Sequence, residues 1–162
     1  MALLTRAADV LASARAQSIR LATAESCTGG LIFAALTEVP GSSDVMDRGF
    51  ITYSNDAKTE MLGVDRALIA RHGAVSPQVA RAMAEGALER SGAGIAVAVT
   101  GVAGPGGTAT KPEGMVCFGL ARSNKKCQTE TLYFGAVGRA EVRKLTTAHA
   151  LGLIAQTLSA SA

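Results

Sequence analysis

Apolar side chains recur along this chain with two different periods, and the switches between them outline its elements. From Met1 to Gln17, Leu3, Leu4, Ala7, Val10, Leu11 and Ala14 fall at helical spacing while Arg6, Asp9 and Arg15 interrupt them, which predicts an amphipathic helix. Ile19 to Ala24 reads as a short buried strand, Thr28 to Thr37 as a helix, Pro40 to Ser43 as a turn and Arg48 to Tyr53 as a second strand. Asn55 to Leu62 predicts a short helix closed by Gly63, and Arg66 to His72 another ending at Gly73. Ser76 and Pro77 supply an N-cap and a first-turn proline for a longer helix reaching Ser91.

Ile95 to Val99 is continuously apolar, as suits a central strand covered on both faces. A glycine-rich loop, Gly101 to Pro112, follows at once. Met115 to Ala121 and Gln128 to Phe134 then read as two strands joined by the polar turn Arg122 to Lys126. From Gly138 onward, Val142, Leu145, Thr146, His149, Leu153 and Ile154 mark one stripe of a last helix. Helices alternating with strands and then a hairpin predict an α/β fold: a three-layer α/β/α sandwich with a mixed, mostly parallel sheet and an antiparallel hairpin element. With 162 residues, 48% of them hydrophobic, one domain over 1–162 is expected.

Charge narrows the partners. Lys and Arg number 16 against 13 Asp and Glu, a formal charge of +3, but the cations are scattered and Trp is absent. Nucleic-acid binders gather cations on a face and interleave stacking aromatics, so a small anionic ligand is expected and nucleic acid is not. No stretch approaches the roughly 20 apolar residues of a membrane span, so no membrane partner is expected. Cys27, Cys117 and Cys127 have no metal-ligand spacing, and an odd count without a secretory signal points to a reducing cytoplasm.

In open α/β sheets ligands bind beyond the carboxyl ends of the strands. Three segments fall there: Glu25 to Gly30, Tyr53 to Lys58 and Thr100 to Lys111. In the first, Ser26 precedes a predicted helix whose leading amides lack intrahelical partners, and Gly29 and Gly30 allow close approach of a ligand. Ser26 or Thr28 serves equally well as a helix cap. As a nucleophile Ser26 needs a base; His72 and His149 are poorly placed, whereas Lys58 stands near the first turn of a helix that starts at a strand end. An unperturbed lysine, with a pKa near about 10.4, is almost wholly protonated at neutrality, so burial has to lower it, or Tyr53 has to relay the proton. Cys27 competes as nucleophile, since a thiolate is favoured at a helix N-terminus and Glu25, Cys27 and Lys58 are the residue types of a nitrilase-like triad.

The loop Thr100-Gly101-x-x-Gly104-Pro105-x-Gly107 has neither Walker nor dinucleotide-fold spacing, yet its backbone is able to cradle an anion, with Lys111, Arg139 and Arg143 as cationic partners. Taken together, Ala24-Glu-Ser-Cys-Thr-Gly-Gly30, Arg48-Gly-Phe-Ile-Thr-Tyr-Ser-Asn55 with Lys58, His72-Gly-Ala-Val-Ser76, and Thr100-Gly-Val-Ala-Gly-Pro-Gly-Gly107 with Lys111-Pro-x-Gly114 resemble the CinA C-terminal domain family of nicotinamide-nucleotide amidases. The resemblance runs over nearly the whole chain. It implies hydrolysis of nicotinamide mononucleotide to nicotinic acid mononucleotide and ammonia, with Ser26 as nucleophile, Lys58 as base, Tyr53 and Thr100 in the pocket, and neither metal nor cofactor. It also implies substrate contacts from Cys27, Thr28, Gly29, Gly30, Gly101, Gly104, Lys111, Arg139 and Arg143, and a homo-oligomeric, stand-alone amidase is expected. The chain departs from the family pattern in a glycine loop about one residue shorter and in Gly138, where an Asp commonly precedes the arginine. The rival reading from another class is a non-catalytic nucleotide-binding or competence-associated interaction module, in which Ser26 is only a cap. A cysteine amidase using Cys27 is a second enzymatic alternative.

Overall fold

The central strand sorts its side chains by size. In the computed structural model, which describes residues 1–160, Ile95, Val97 and Val99 enter one core while Ala96 and Ala98 enter another on the opposite face. This strand, β3 (Ile95–Gly101), is the middle of five, with β1 (Leu21–Glu25), β2 (Met46–Ile51), β4 (Met115–Arg122) and β5 (Gln128–Tyr133) in the order β2-β1-β3-β4-β5. β2, β1 and β3 are parallel, and β4 pairs antiparallel with both β3 and β5, so β4 alone runs against the rest.

Helices cover both faces. The larger side chains meet α1 (Ala2–Ala16), α2 (Leu31–Thr37) and α6 (Arg139–Ser159), through residues such as Leu11, Ile32 and Leu151. The alanine face meets α3 (Asn55–Leu62), α4 (Arg66–His72) and α5 (Pro77–Glu89), through Leu62, Ile69 and Met83. The expected three-layer sandwich with a mixed sheet and a hairpin is therefore present. Small side chains let α5 approach closely: a Cβ on Gly119 of β4 would lie 2.4 Å from the Ala80 carbonyl oxygen, and one on Gly86 would lie 2.1 Å from that of Leu62.

The bounds of α3 and α4 match the sequence reading, and Ser76 caps α5 by accepting from the Val79 amide with Pro77 in the first turn. Two differences bear on the site. β2 ends at Ile51, so Thr52 and Tyr53 leave the strand. The second helix begins at Leu31 rather than Thr28, because Gly29 and Gly30 take φ of +59° and +105° and continue a turn instead. Among the described residues no helix is long and apolar enough to cross a membrane.

Candidate active site

Ser26 follows the last residue of β1, and its amide donates to the Val99 carbonyl, which ties it to the end of β3. Lys58 reaches it from the first turns of α3, a helix started by Ser54, whose hydroxyl accepts from the Ala57 amide. Lys58 Nζ lies 3.0 Å from Ser26 Oγ, 2.9 Å from the Thr52 carbonyl oxygen and 3.2 Å from that of Tyr53. Its side chain is 1% exposed, and no carboxylate pairs with it among the described residues. Burial pushes its pKa below the ordinary lysine value, against a smaller opposing effect of Cys27. The ammonium is thus held by neutral acceptors in a setting that favours the free amine. Among the described residues the side chain bonded to Ser26 Oγ is Lys58 and not a histidine, and His149 pairs with Glu130.

Glu25 is spent on the local fold. Its buried carboxylate accepts from Thr28 Oγ1 at 2.6 Å, from the Ile32 amide at 2.9 Å and from the Phe33 amide at 3.0 Å, so it caps α2 from outside the helix. Two earlier expectations change with this. The leading amides of α2 are not open donors, and Thr28 turns its hydroxyl to Glu25. Glu25→Gln sets an amide group against these donors and is expected to destabilise the fold by about 2 kcal/mol in chemical denaturation; a loss under about 0.5 kcal/mol, the size of an ordinary surface substitution, contradicts this account of α2.

The reading of Cys27 as an activated thiol is corrected by its surroundings. Its side chain lies in the core cluster, and burial, reinforced by the Glu25 charge, pushes the thiol up to about 11. The helix terminus that was to favour the thiolate is occupied by Glu25. Arg143 Nε and Nη2 donate to the Cys27 and Thr28 carbonyls at 3.1 and 3.2 Å, so this arginine braces the turn. In a trans peptide N–H and C=O point apart, so the Thr28 amide faces away from Arg143. In this turn the Cys27 amide meets its own thiol, and the Gly29 amide donates to the Ser26 carbonyl, whereas the Thr28 and Gly30 amides donate to no main-chain carbonyl among the described residues.

The remaining candidates form a rim. Tyr53 is 62% exposed, and only its carbonyl lies on Lys58; its hydroxyl accepts from Arg139 Nη2 at 3.0 Å, which removes the proton-relay geometry. Arg139 Nη1 also donates to the Gly104 carbonyl at 2.8 Å, joining the loop after β2 to the loop after β3. Buried Thr100 donates to the Ala74 carbonyl at 2.9 Å, and Lys111 Nζ to that of His72, so both hold the segment before α5. Gly101 is small for packing, since a Cβ there would lie 2.7 Å from Val116 Cγ2. One loop residue has no signature in the sequence: Glu113, whose carboxylate accepts from the Gly106 amide at 2.8 Å. A cleft lined by Leu120, Lys126, Gln128, Leu153 and Gln156 runs between β5 and the end of α6, away from Ser26. Among the described residues no three His, Cys, Asp or Glu side chains gather as a metal-sized group.

A mixed-sheet α/β domain with a buried serine–lysine pair at the carboxyl edge of its parallel strands is the class that this fold and site define. The chain belongs to the CinA C-terminal domain family, whose model matches residues 4–158. It is 52% identical over 141 residues to a CinA-like protein of Mycobacterium marinum, covering 86% of this chain and 33% of that protein. Against a CinA-like protein of Chloroherpeton thalassium it is 47% identical over 151 residues, covering 91% and 36%. The chain thus spans about a third of the length of the curated relatives it matches. The crystal structure of the competence/damage inducible protein CihA from Agrobacterium tumefaciens superposes with a TM-score of 0.93 at 46% identity, over 97% of this chain and 95% of that one. A CinA superfamily protein from Klebsiella pneumoniae gives 0.92 at 32% identity, over 97% and 98%.

Proposed function

We propose that this protein hydrolyses the carboxamide of nicotinamide mononucleotide to the acid and ammonia. The observation that carries the reading is Lys58, buried without a carboxylate and 3.0 Å from Ser26 Oγ. The free amine of Lys58 takes the proton of Ser26 as its oxygen bonds to the amide carbon, and amides of the turn after Ser26 that hold no main-chain acceptor receive the charge that develops on the carbonyl oxygen. Lys58, now an ammonium, returns the proton to the departing nitrogen, and ammonia leaves. Water then gives a proton to Lys58 while its oxygen attacks the ester on Ser26, and Lys58 passes that proton to Ser26 Oγ as the acid leaves, restoring both the serine and the free amine.

The motif resemblance and the family supply the pyridine nucleotide, and Arg139 is the exposed cation at the rim for its phosphate. Purified protein is expected to release ammonia from the mononucleotide with kcat/KM at least about tenfold above free nicotinamide, because about 1.4 kcal/mol of remote phosphate binding suffices to orient the amide. Equal kcat/KM for mononucleotide, riboside and free nicotinamide removes the phosphate from the reading. No ammonia from any of the three favours a non-catalytic binding module instead.

A further inference from the structure

The glycine loop after β3 has the look of an anion cradle, but it already holds an anion of its own. Glu113 Oε1 accepts from the Gly106 amide at 2.8 Å, and the same side chain lies over Gly104, where an added Cβ would meet Oε1 at 2.2 Å. Gly104 takes φ of +91° and Gly106 +78°, so the loop follows a backbone path that leaves room for this carboxylate. The cation nearest in sequence does not neutralise it: Lys111 Nζ donates to the His72 carbonyl. Arg139 donates to the carbonyl of the same residue, Gly104. The Glu113 carboxylate and the rim arginine thus both meet Gly104.

We infer that Glu113 sets how strongly this site takes a phosphate monoester, by filling the loop's anion-binding backbone and opposing a second anion beside Arg139. The inference rests on the proposed substrate class, a phosphorylated pyridine amide, and concerns its phosphate alone. A dianion approaching Arg139 is repelled by a carboxylate across the loop, and the Gly106 amide is not available to it. The loop thus acts as a discriminator against excess negative charge, and phosphate specificity is weaker than a bare glycine loop would give.

Two variants separate charge from donor. E113Q keeps an oxygen for the Gly106 amide and removes only the charge, and E113A also frees the amide. With inorganic phosphate as probe, followed by amide NMR titration of the full chain, E113Q is expected to bind about tenfold more tightly than the parent, equivalent to about 1.4 kcal/mol, and E113A at least as tightly as E113Q. In the parent, phosphate shifts the Arg139 side chain and leaves the Gly106 amide in place. In kinetics, the ratio of kcat/KM for mononucleotide over riboside rises by a similar factor in E113Q. Unchanged phosphate affinity in a folded E113Q, or a parent Gly106 amide that moves on phosphate addition, overturns the inference and makes Glu113 a loop staple only. If phosphate behaves as expected but no pyridine amide is hydrolysed, the proposed reaction fails while this inference stands.

Discussion

Ser26→Ala is expected to lower ammonia release from nicotinamide mononucleotide by on the order of 10⁴ to 10⁶-fold, the scale on which loss of a nucleophilic serine acts. Only the attacking oxygen is removed. The turn that carries it is held by Glu25 and Arg143, so circular dichroism and mononucleotide affinity are expected to stay close to the parent's. Cys27→Ala, which removes a protonated thiol from the core, retains substantial turnover and shows its effect as a modest loss of stability. A dead Cys27→Ala beside an active Ser26→Ala defeats the serine mechanism.

Lys58 carries the second large effect. Lys58→Arg and Lys58→Ala are both expected to lose about 10² to 10⁴-fold in kcat, because a guanidinium keeps the charge but cannot accept a proton near neutrality. In the parent, kcat/KM rises with pH through an ionisation below the ordinary lysine value, as burial requires. Stability follows the same group with a definite sign. The native pKa is depressed, so between it and the unfolded value of 10.5 the unfolded chain binds more protons, and stability climbs as pH rises through that window. Below the native pKa the full cost of a buried ammonium remains. Lys58→Met is expected to flatten this slope in denaturation series across pH. Normal activity of Lys58→Arg shows that Lys58 acts by charge alone, and an unchanged slope in Lys58→Met shows that its native pKa is not depressed.

The elements legible in the sequence were those whose ends are signalled locally. Gly63 closes α3 at φ of +71°, and Ser76 and Pro77 open α5. The start of α2 was not legible because its amides are satisfied by Glu25, which stands seven residues before Ile32 on another element. The same distinction runs through the site. Ser26 and Lys58 stood out through the chemistry of their side chains and the strand ends beside them. What holds Lys58, the carbonyls of Thr52 and Tyr53, is backbone and carries no residue signature. Thr100, Lys111 and Arg143 have the polar chemistry of anion contacts in the sequence, and each instead donates to a main-chain carbonyl that a linear pattern does not reveal. Glu113 carries no signal in the sequence because an acidic residue in a loop reads as solvated until the fold brings Gly106 against it.

The close approach of α5 to its neighbours works as a spacer gauge for the site. Gly86 of α5 lies against the carbonyl of Leu62, the last residue of the helix that carries Lys58, while Gly119 of β4 lets α5 rest on the sheet at whose edge Ser26 stands. The separation of the amine from the hydroxyl is therefore metered through a third body that contributes no atom to either. The nearest atom in each contact is a main-chain carbonyl oxygen, which has no rotamer to yield, so one added methyl group in this stack has to move a helix. Two hydrogens, on residues with no chemistry of their own, define the tolerance to which the pair is machined.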